Sequence, residues 1–137
     1  MDVLPYLHFN GNCAEAFAVY EKLMGGTVIM SSKFGDSPMA AQFPADMKDK
    51  IIHISMRIGN SVIMGSDAPP NHYGKPQGMG VSVNVKTAAE ADRVFAGLAE
   101  DGSVTMPISQ TYWSPRFGMC TDRFGIPWMV NCEGAPA

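Results

Sequence analysis

The chain has 137 residues, of which 46% are hydrophobic and 17% charged, with a formal net charge of -3; this is enough apolar material for a compact core and too little length for two large independent domains. Ten Lys and Arg stand against thirteen Asp and Glu without a basic run, so the electrostatic footprint needed to hold a phosphate backbone is missing and no nucleic-acid partner is expected. Apolar runs such as Ser61-Val-Ile-Met-Gly65 fall far short of the roughly 20 residues of a membrane helix, and the opening Met-Asp-Val-Leu-Pro carries no basic segment, so no membrane association and a cytoplasmic location are expected.

Val3 to Phe9 reads as a short strand, and Asn10-Gly-Asn12 behind it supplies a turn and a helix N-cap, a short polar side chain accepting from the first free amide donors. Ala16, Phe17, Val19, Tyr20 and Leu23 then recur at helical spacing from Ala14 to Met24, and Gly25-Gly26 ends the pattern. Thr27 to Met30 is the next predicted strand, and residues 34–50, rich in Gly, Pro, Asp and Lys, form a long excursion. Ile51 to Ile58 and Ser61 to Ser66 follow as strands joined by a Gly59-Asn60 turn. Residues 67–78 carry three prolines and two glycines and form a bridging loop.

The second half repeats the first. Ala14-Glu15-Ala16 recurs as Ala89-Glu90-Ala91, and the same offset of 75 carries Val19 to Val94, Tyr20 to Phe95 and Leu23 to Leu98. Thr27-Val-Ile-Met30 meets Ser103-Val-Thr-Met106 at offset 76, and placing Gly59-Asn60 on Phe124-Gly125 brings Met64 onto Met129. Both halves read βαβββ, the mark of a tandem duplication. The expected fold is α+β: module one at 1–67, bridge 68–78 and module two at 79–137, forming a curved mixed sheet with helices outside and a concave pocket inside. Cys13, Cys120 and Cys132 are odd in number, show no CxxC spacing and sit in apolar stretches, so buried free thiols are expected rather than a disulfide or a zinc knuckle.

A βαβββ repeat in a chain of this size resembles the vicinal oxygen chelate superfamily, which includes glyoxalase I, extradiol dioxygenases and bleomycin-resistance proteins. Pro5-Tyr-Leu-His-Phe-Asn-Gly-Asn-Cys-Ala-Glu-Ala-Phe17, Ser66-Asp67-Ala68 and above all Thr121-Asp-Arg-Phe-Gly-Ile-Pro-Trp-Met-Val-Asn131 are similar to the PhnB-like branch, also catalogued as a 3-demethylubiquinone methyltransferase-like domain. The resemblance spans nearly the whole chain and implies paired modules and a homodimer. In metal-dependent relatives four inward His or Glu ligands come from the first and last strands of each module; here those positions fall at or beside Pro5, Met64, Gly80 and Met129. Pro and Gly offer no side-chain donor and thioethers are soft, so no metal and no other cofactor is expected.

Period-two alternation on the Ile51 strand separates Ile52, Ile54, Met56 and Ile58, expected under a helix, from His53, Ser55 and Arg57, expected on the concave face, where an imidazole, a hydroxyl and a guanidinium suit recognition of an anion or a carbonyl. Exposure of that face, or a His53 satisfied by backbone, is the plainer alternative. His8 is either a pocket residue or a strand-edge residue, and His72 lies solvated in the bridge. A relocated metal centre of His8, His53 and Asp67 has no supporting spacing. Gln110, Tyr112 and Trp113, with Arg116 nearby, suit a ligand rim or a dimer contact. Asp67 and Asp122 are expected to cap backbone, Gly125 to take a turn conformation other residues resist, and Trp128 to pack the helix layer. Met64 and Met129, two of eleven methionines, are expected to line a pocket for an apolar or aromatic small molecule. No GxGxxG, Walker, HExxH or GxSxG sequence occurs, so the methyltransferase label finds no nucleotide-binding βαβ signature. A metal-free small-molecule binder is the leading expectation. The alternatives are an enzyme of glyoxalase or lyase type, using a relocated divalent metal or a His53/Arg57 site, and an interaction protein acting through its dimer surface.

Overall fold

The computed structural model describes residues 1–135; the last two residues of the expected second module lie outside the described ones. The chain divides into two compact units, Met1–Gly74 and a second that begins at Lys75. The first contains β1 (Tyr6–Phe9), α1 (Cys13–Met24), β2 (Thr27–Lys33), β3 (Ile51–Ile58) and β4 (Ser61–Asp67), the second β5 (Val81–Val85), α2 (Ala88–Ala99), β6 (Ser103–Ser109), β7 (Phe117–Thr121) and β8 (Pro127–Cys132). The sheet orders are β1-β4-β3-β2 and β5-β8-β7-β6. In each, the first strand runs parallel to the last and the remaining pairs are antiparallel. These are two open four-stranded mixed sheets in βαβββ order.

Each helix buries one stripe against its own sheet. Cys13, Ala16, Phe17 and Tyr20 are buried on α1, and Ala91, Val94, Phe95 and Leu98 on α2. The spacing is the same in both, yet the second stripe begins three residues later in the sequence repeat, leaving Val19 and Leu23 half-buried where Val94 and Leu98 are buried. A phenylalanine from each helix drops onto a strand glycine. A Cβ on Gly65 would meet Phe17 at 2.8 Å, and one on Gly118 would meet Phe95 at 2.7 Å. Ile54 stands opposite Gly65 on the neighbouring strand, and Val130 opposite Gly118. Each unit therefore makes room for its ring by one glycine in the same cross-strand pair, placed on opposite strands.

The start of α1 corrects the expected cap. The Asn12 side chain makes no capping bond; instead the Cys13 N–H donates to Asp67 Oδ1 at 2.9 Å, while Asp67 Oδ2 accepts from the Ile51 N–H at 2.9 Å. A buried carboxylate is the stronger acceptor, and it ties the start of α1 and the start of β3 to the end of β4. In α2 the cap is local, Thr87 Oγ1 accepting from the Glu90 N–H at 3.1 Å. At its other end α1 stops at Gly25, whose φ of 67 suits glycine.

Strand register corrects a second expectation. Phe9 pairs with Asp67, and Val85 with Cys132, so β1 maps onto β5 with an offset of 76 while the helices map with 75. The connection from β5 to α2 is one residue shorter (86–87 against 10–12). On β3, Ile54 and Met56 are buried as expected, but at the strand's start Ile51 is buried and Ile52 only half-buried, because pairing with β2 slips between Ser32 and Lys33. Residues 34–50 form three short 3-10 turns that bury Phe34 and Met47. The bridge is a loop with a single such turn at Pro70–His72. All three cysteines are buried and free.

Candidate functional site

Each sheet keeps one face for its helix; the other face carries the candidate chemistry. In the first unit that open face presents Tyr6 and His8 of β1, Met64 and Ser66 of β4, and His53, Ser55 and Arg57 of β3, related by the pairings Tyr6 with Met64, His8 with Ser66 and Ser55 with Met64. Residues directly opposite on paired strands share a face. Three of these side chains converge. Tyr6 Oη lies 3.0 Å from His53 Nδ1, and the Tyr6 ring centroid is 5.6 Å from that imidazole and 5.1 Å from the His8 ring. His8 is exposed and His53 half-buried. Ser55 is half-buried beside Met64, and Arg57, two positions further along β3, is exposed with no ion-pair partner among the described residues.

In the second unit the same row holds Ser82, Met129, Met119 and Met106, through the pairings Ser82 with Met129, Met119 with Met129 and Met106 with Met119. An open cleft of about 430 Å³ lies at Met119 and Met129 of this row, bounded also by Met79 with Gly78 and Gly80, by Thr105, and by the β7 and β8 ends at Cys120, Thr121, Pro127 and Trp128. The next row is amide-rich. Asn131 Nδ2 donates to Asn84 Oδ1 at 3.4 Å, and Asn131 Oδ1 is buried without a partner. Met79 and Met119 are cleft residues that sequence reasoning did not assign to the site, and Tyr6 entered it only as the position one residue from Pro5. Met119 was findable, since the tight turn at Asp122 to Gly125 fixes the register that sets it opposite Met129.

The positions that hold the metal in metal-dependent relatives do not fit one here. The register puts Tyr6, rather than Pro5, beside Met64, and Ser82, rather than Gly80, beside Met129. A phenol, a hydroxyl and two thioethers do not supply the hard carboxylate and imidazole donors of an octahedral divalent site. Among the described residues no three His, Cys, Asp or Glu side chains gather as ligands. The conceivable set of His8, His53 and Asp67 is broken by strand parity: Asp67 pairs with Phe9, on the helix side, and its two oxygens are taken by the backbone amides of Cys13 and Ile51.

Asp122 is likewise committed to architecture. Its Oδ1 accepts from the N–H groups of Phe124 and Ile126, both at 2.9 Å, and its Oδ2 from Trp128 Nε1 at 2.8 Å. Gly125 takes φ 94 in that turn, and Trp128 is buried while its neighbour Met129 is half-buried, in step with the alternating burial along β8. Burial, with the Asp122 charge adding to it, pushes the Cys120 thiol up from 9.0 to about 11. Burial and the Asp67 charge push Cys13 up as well. Both thiols are therefore unreactive by character.

Gln110, Tyr112 and Trp113 lie on the exposed loop between β6 and β7. Tyr112 packs its ring on Trp113 at 4.8 Å, and Trp113 on Phe117 at 5.1 Å. The guanidinium expected beside them is engaged elsewhere, Arg116 Nε and Nη2 donating to Asp92 Oδ1 of α2 at 2.8 and 2.6 Å. Buried Ser114 anchors the loop, its Oγ 2.8 Å from the Cys132 carbonyl oxygen. His72 is exposed in the bridge.

Comparison with known proteins agrees with this architecture. The family model described as 3-demethylubiquinone-9 3-methyltransferase matches residues 1–131, and the chain belongs to that PhnB-like family. Protein YjdN of Escherichia coli K12 is 36% identical over 139 residues, covering 96% of this chain and 95% of its own. The crystal structure of protein PA1353 from Pseudomonas aeruginosa superposes with a TM-score of 0.89 at 50% identity, covering 97% of this chain and 98% of that one. The fosfomycin resistance protein FosX of Listeria monocytogenes shares the fold alone, with a TM-score of 0.66 at 9% identity over 98% of this chain and 94% of that one. The fold is that of the vicinal oxygen chelate superfamily. Among the described residues no helix is long and apolar enough to cross a membrane.

Proposed function

We propose that this protein binds a small organic molecule of apolar or aromatic character against the methionine-lined face of its second unit, without a resident metal. The cleft carries this reading. Its volume of about 430 Å³ falls within the roughly 300–1,000 Å³ of small-molecule sites. Met79, Met119 and Met129 supply polarizable, unbranched side chains that adapt to variable shapes. Methyl transfer is not part of the proposal, since the turn from β5 into α2 is Lys86-Thr87 and offers no glycine-rich cradle for a nucleotide-like donor. A homodimer accompanies the reading. Val28, Ile29 and Met30 of β2, and Val104 and Met106 of β6, are exposed on strands at the ends of their sheets, where uncovered apolar surface favours a partner.

Methionine-methyl NMR with indole as the probe tests it. Saturable shifts are expected at Met119 and Met129 but not at buried Met47, with affinity falling about tenfold in Met129→Ala as a buried thioether contact is lost. Saturation without any response at Met119 and Met129, or no saturation at all with indole and cyclohexanol, sinks the cleft reading. A stoichiometric divalent metal in protein purified without an affinity tag sinks its metal-free part.

A further inference from the structure

We infer that the first unit carries a separate binding site, for the oxyanion of a small acid, built from Tyr6, His8 and His53. Their convergence is not local. Tyr6 and His8 stand on β1 and His53 on β3, with β4 between them, and the phenol spans that strand to reach His53 Nδ1 at 3.0 Å. The Tyr6 ring lies against both imidazoles, 5.1 and 5.6 Å between centroids, holding two heterocycles that would otherwise turn freely in solvent.

Charge on this face has one sign. The ionisable groups at its strand positions are Tyr6, His8, His53 and Arg57, and no Asp or Glu occupies any of them. The one strand carboxylate of the unit, Asp67, is buried on the helix side and held by two amides. Ser66, buried beside His8, and Ser55, half-buried beside Met64, add hydroxyl donors at the floor. Imidazole N–H groups, hydroxyls and a guanidinium all donate hydrogen bonds to an oxyanion, and charge-assisted ones are about twice as strong as neutral ones. A cationic guest would find no partner charge. Because Tyr6 Oη and His53 Nδ1 share one hydrogen bond, the phenol also fixes which imidazole nitrogen is left to face a ligand. The site lies in a different unit from the methionine cleft, and the case for it does not depend on that cleft.

Imidazole NMR of the intact chain reads the site directly, because its three histidines divide into two in the cluster and His72 in the bridge as an internal control. Titration with benzoate and, separately, inorganic phosphate is expected to give saturable shifts at His8 and His53 and none at His72, and benzylamine is expected to give no response. Saturation with benzoate alone marks a carboxylate site, and with phosphate alone a phosphate site. Tyr6→Phe, which releases the imidazole from the phenol, and His53→Asn, which removes the imidazole, are each expected to weaken binding about tenfold, the size of one hydrogen bond to a charged group; both positions are at least partly exposed, and unchanged methyl resonances of the buried Met47 and Met56 in the first unit check that the fold is kept. Absence of saturation with both anions, an equal response at His72, or unchanged affinity in both variants overturns the inference. Indole binding at Met119 and Met129 would stand in each of those cases.

Discussion

The two units use one frame and put opposite chemistry on its open side. Where the first places Tyr6, Met64, Ser55 and Met30 across its strands, the second places Ser82, Met129, Met119 and Met106. In the next row, His8, Ser66 and His53 correspond to Asn84, Asn131 and Phe117. The helix sides differ in detail but do one job: Phe17 over Gly65 and Phe95 over Gly118, with buried stripes of identical spacing. Packing to near-crystalline density restricts change on the helix side, while the open side carries no such constraint. The duplicated fold thus separates the side that packs against a helix from the side that stays open, and an imidazole-phenol surface and a thioether surface arise on the same scaffold.

The carboxylate anchors test the architectural half of this comparison most severely. Asp122→Ala leaves two amides and the Trp128 indole N–H of the second unit without their acceptor, and a cost of about 4 kcal/mol is expected. Asp67→Ala frees two amides in the first unit, with a cost of about 3 kcal/mol. Urea unfolding gives the totals, and hydrogen exchange locates them: accelerated exchange at Phe124 and Ile126 in one variant, and at Cys13 and Ile51 in the other. Wild-type stability in either variant would show that aspartate to be dispensable and reopen it as a chemical group.

Glycine substitutions come next in size and sharpen the mirror relation between the two phenylalanine seats. Gly65→Ala brings a Cβ to 2.8 Å from Phe17 and 2.9 Å from the Leu7 carbonyl oxygen, and Gly118→Ala brings one to 2.7 Å from Phe95 and 3.0 Å from the Ile108 Cα. Overpacking of this kind costs about 1–3 kcal/mol, and Phe17→Leu or Phe95→Leu in the matching background should recover part of it. Recovery by the cross-unit combination instead would show that the rings do not sit as described.

How much of this was legible in the sequence follows from the range of the interactions. The α1 and α2 stripes, the Gly59 turn and the Asp122 to Gly125 turn rest on contacts a few residues apart, and propensity and periodicity report them. The duplication aligns Met64 with Met129, and the strand registers place the two at equivalent positions. The Tyr6 to His53 contact joins residues 47 apart through the strand order β1-β4-β3, which no local pattern encodes. The Asn12 cap failed for the same reason, since its substitute Asp67 is 54 residues from Cys13. The single-residue difference between residues 10–12 and 86–87 changes the β1-to-β5 offset from 75 to 76, so the rows hold Tyr6, one residue from the expected Pro5, and Ser82, two residues from the expected Gly80. On a strand a slip of one exchanges the faces.

The smallest effect concerns the thiols, which occupy the helix side of both units beside the two anchoring carboxylates. Cys120 is pushed up to about 11 by burial and then by Asp122, and Cys13 is raised by burial and then by Asp67. An unfolded chain releases these protons near 9.0 while the folded chain keeps them, so above that pH the unfolded state binds fewer protons and stability falls as pH rises. The contribution is fully present below pH 9.0 and, for Cys120, is lost as pH climbs through about 11. Each thiol contributes at most about 1.4 kcal/mol per pH unit across its window. Melting temperature is therefore expected to be insensitive to these thiols at neutral pH and to decline between pH 9 and 11, with Cys120→Ala flattening part of the decline. Should Cys120→Ala leave the alkaline slope unaltered while Cys13→Ala removes it, the first unit alone would set the alkaline limit, and the equivalence of the two buried sides would fail at the thiols.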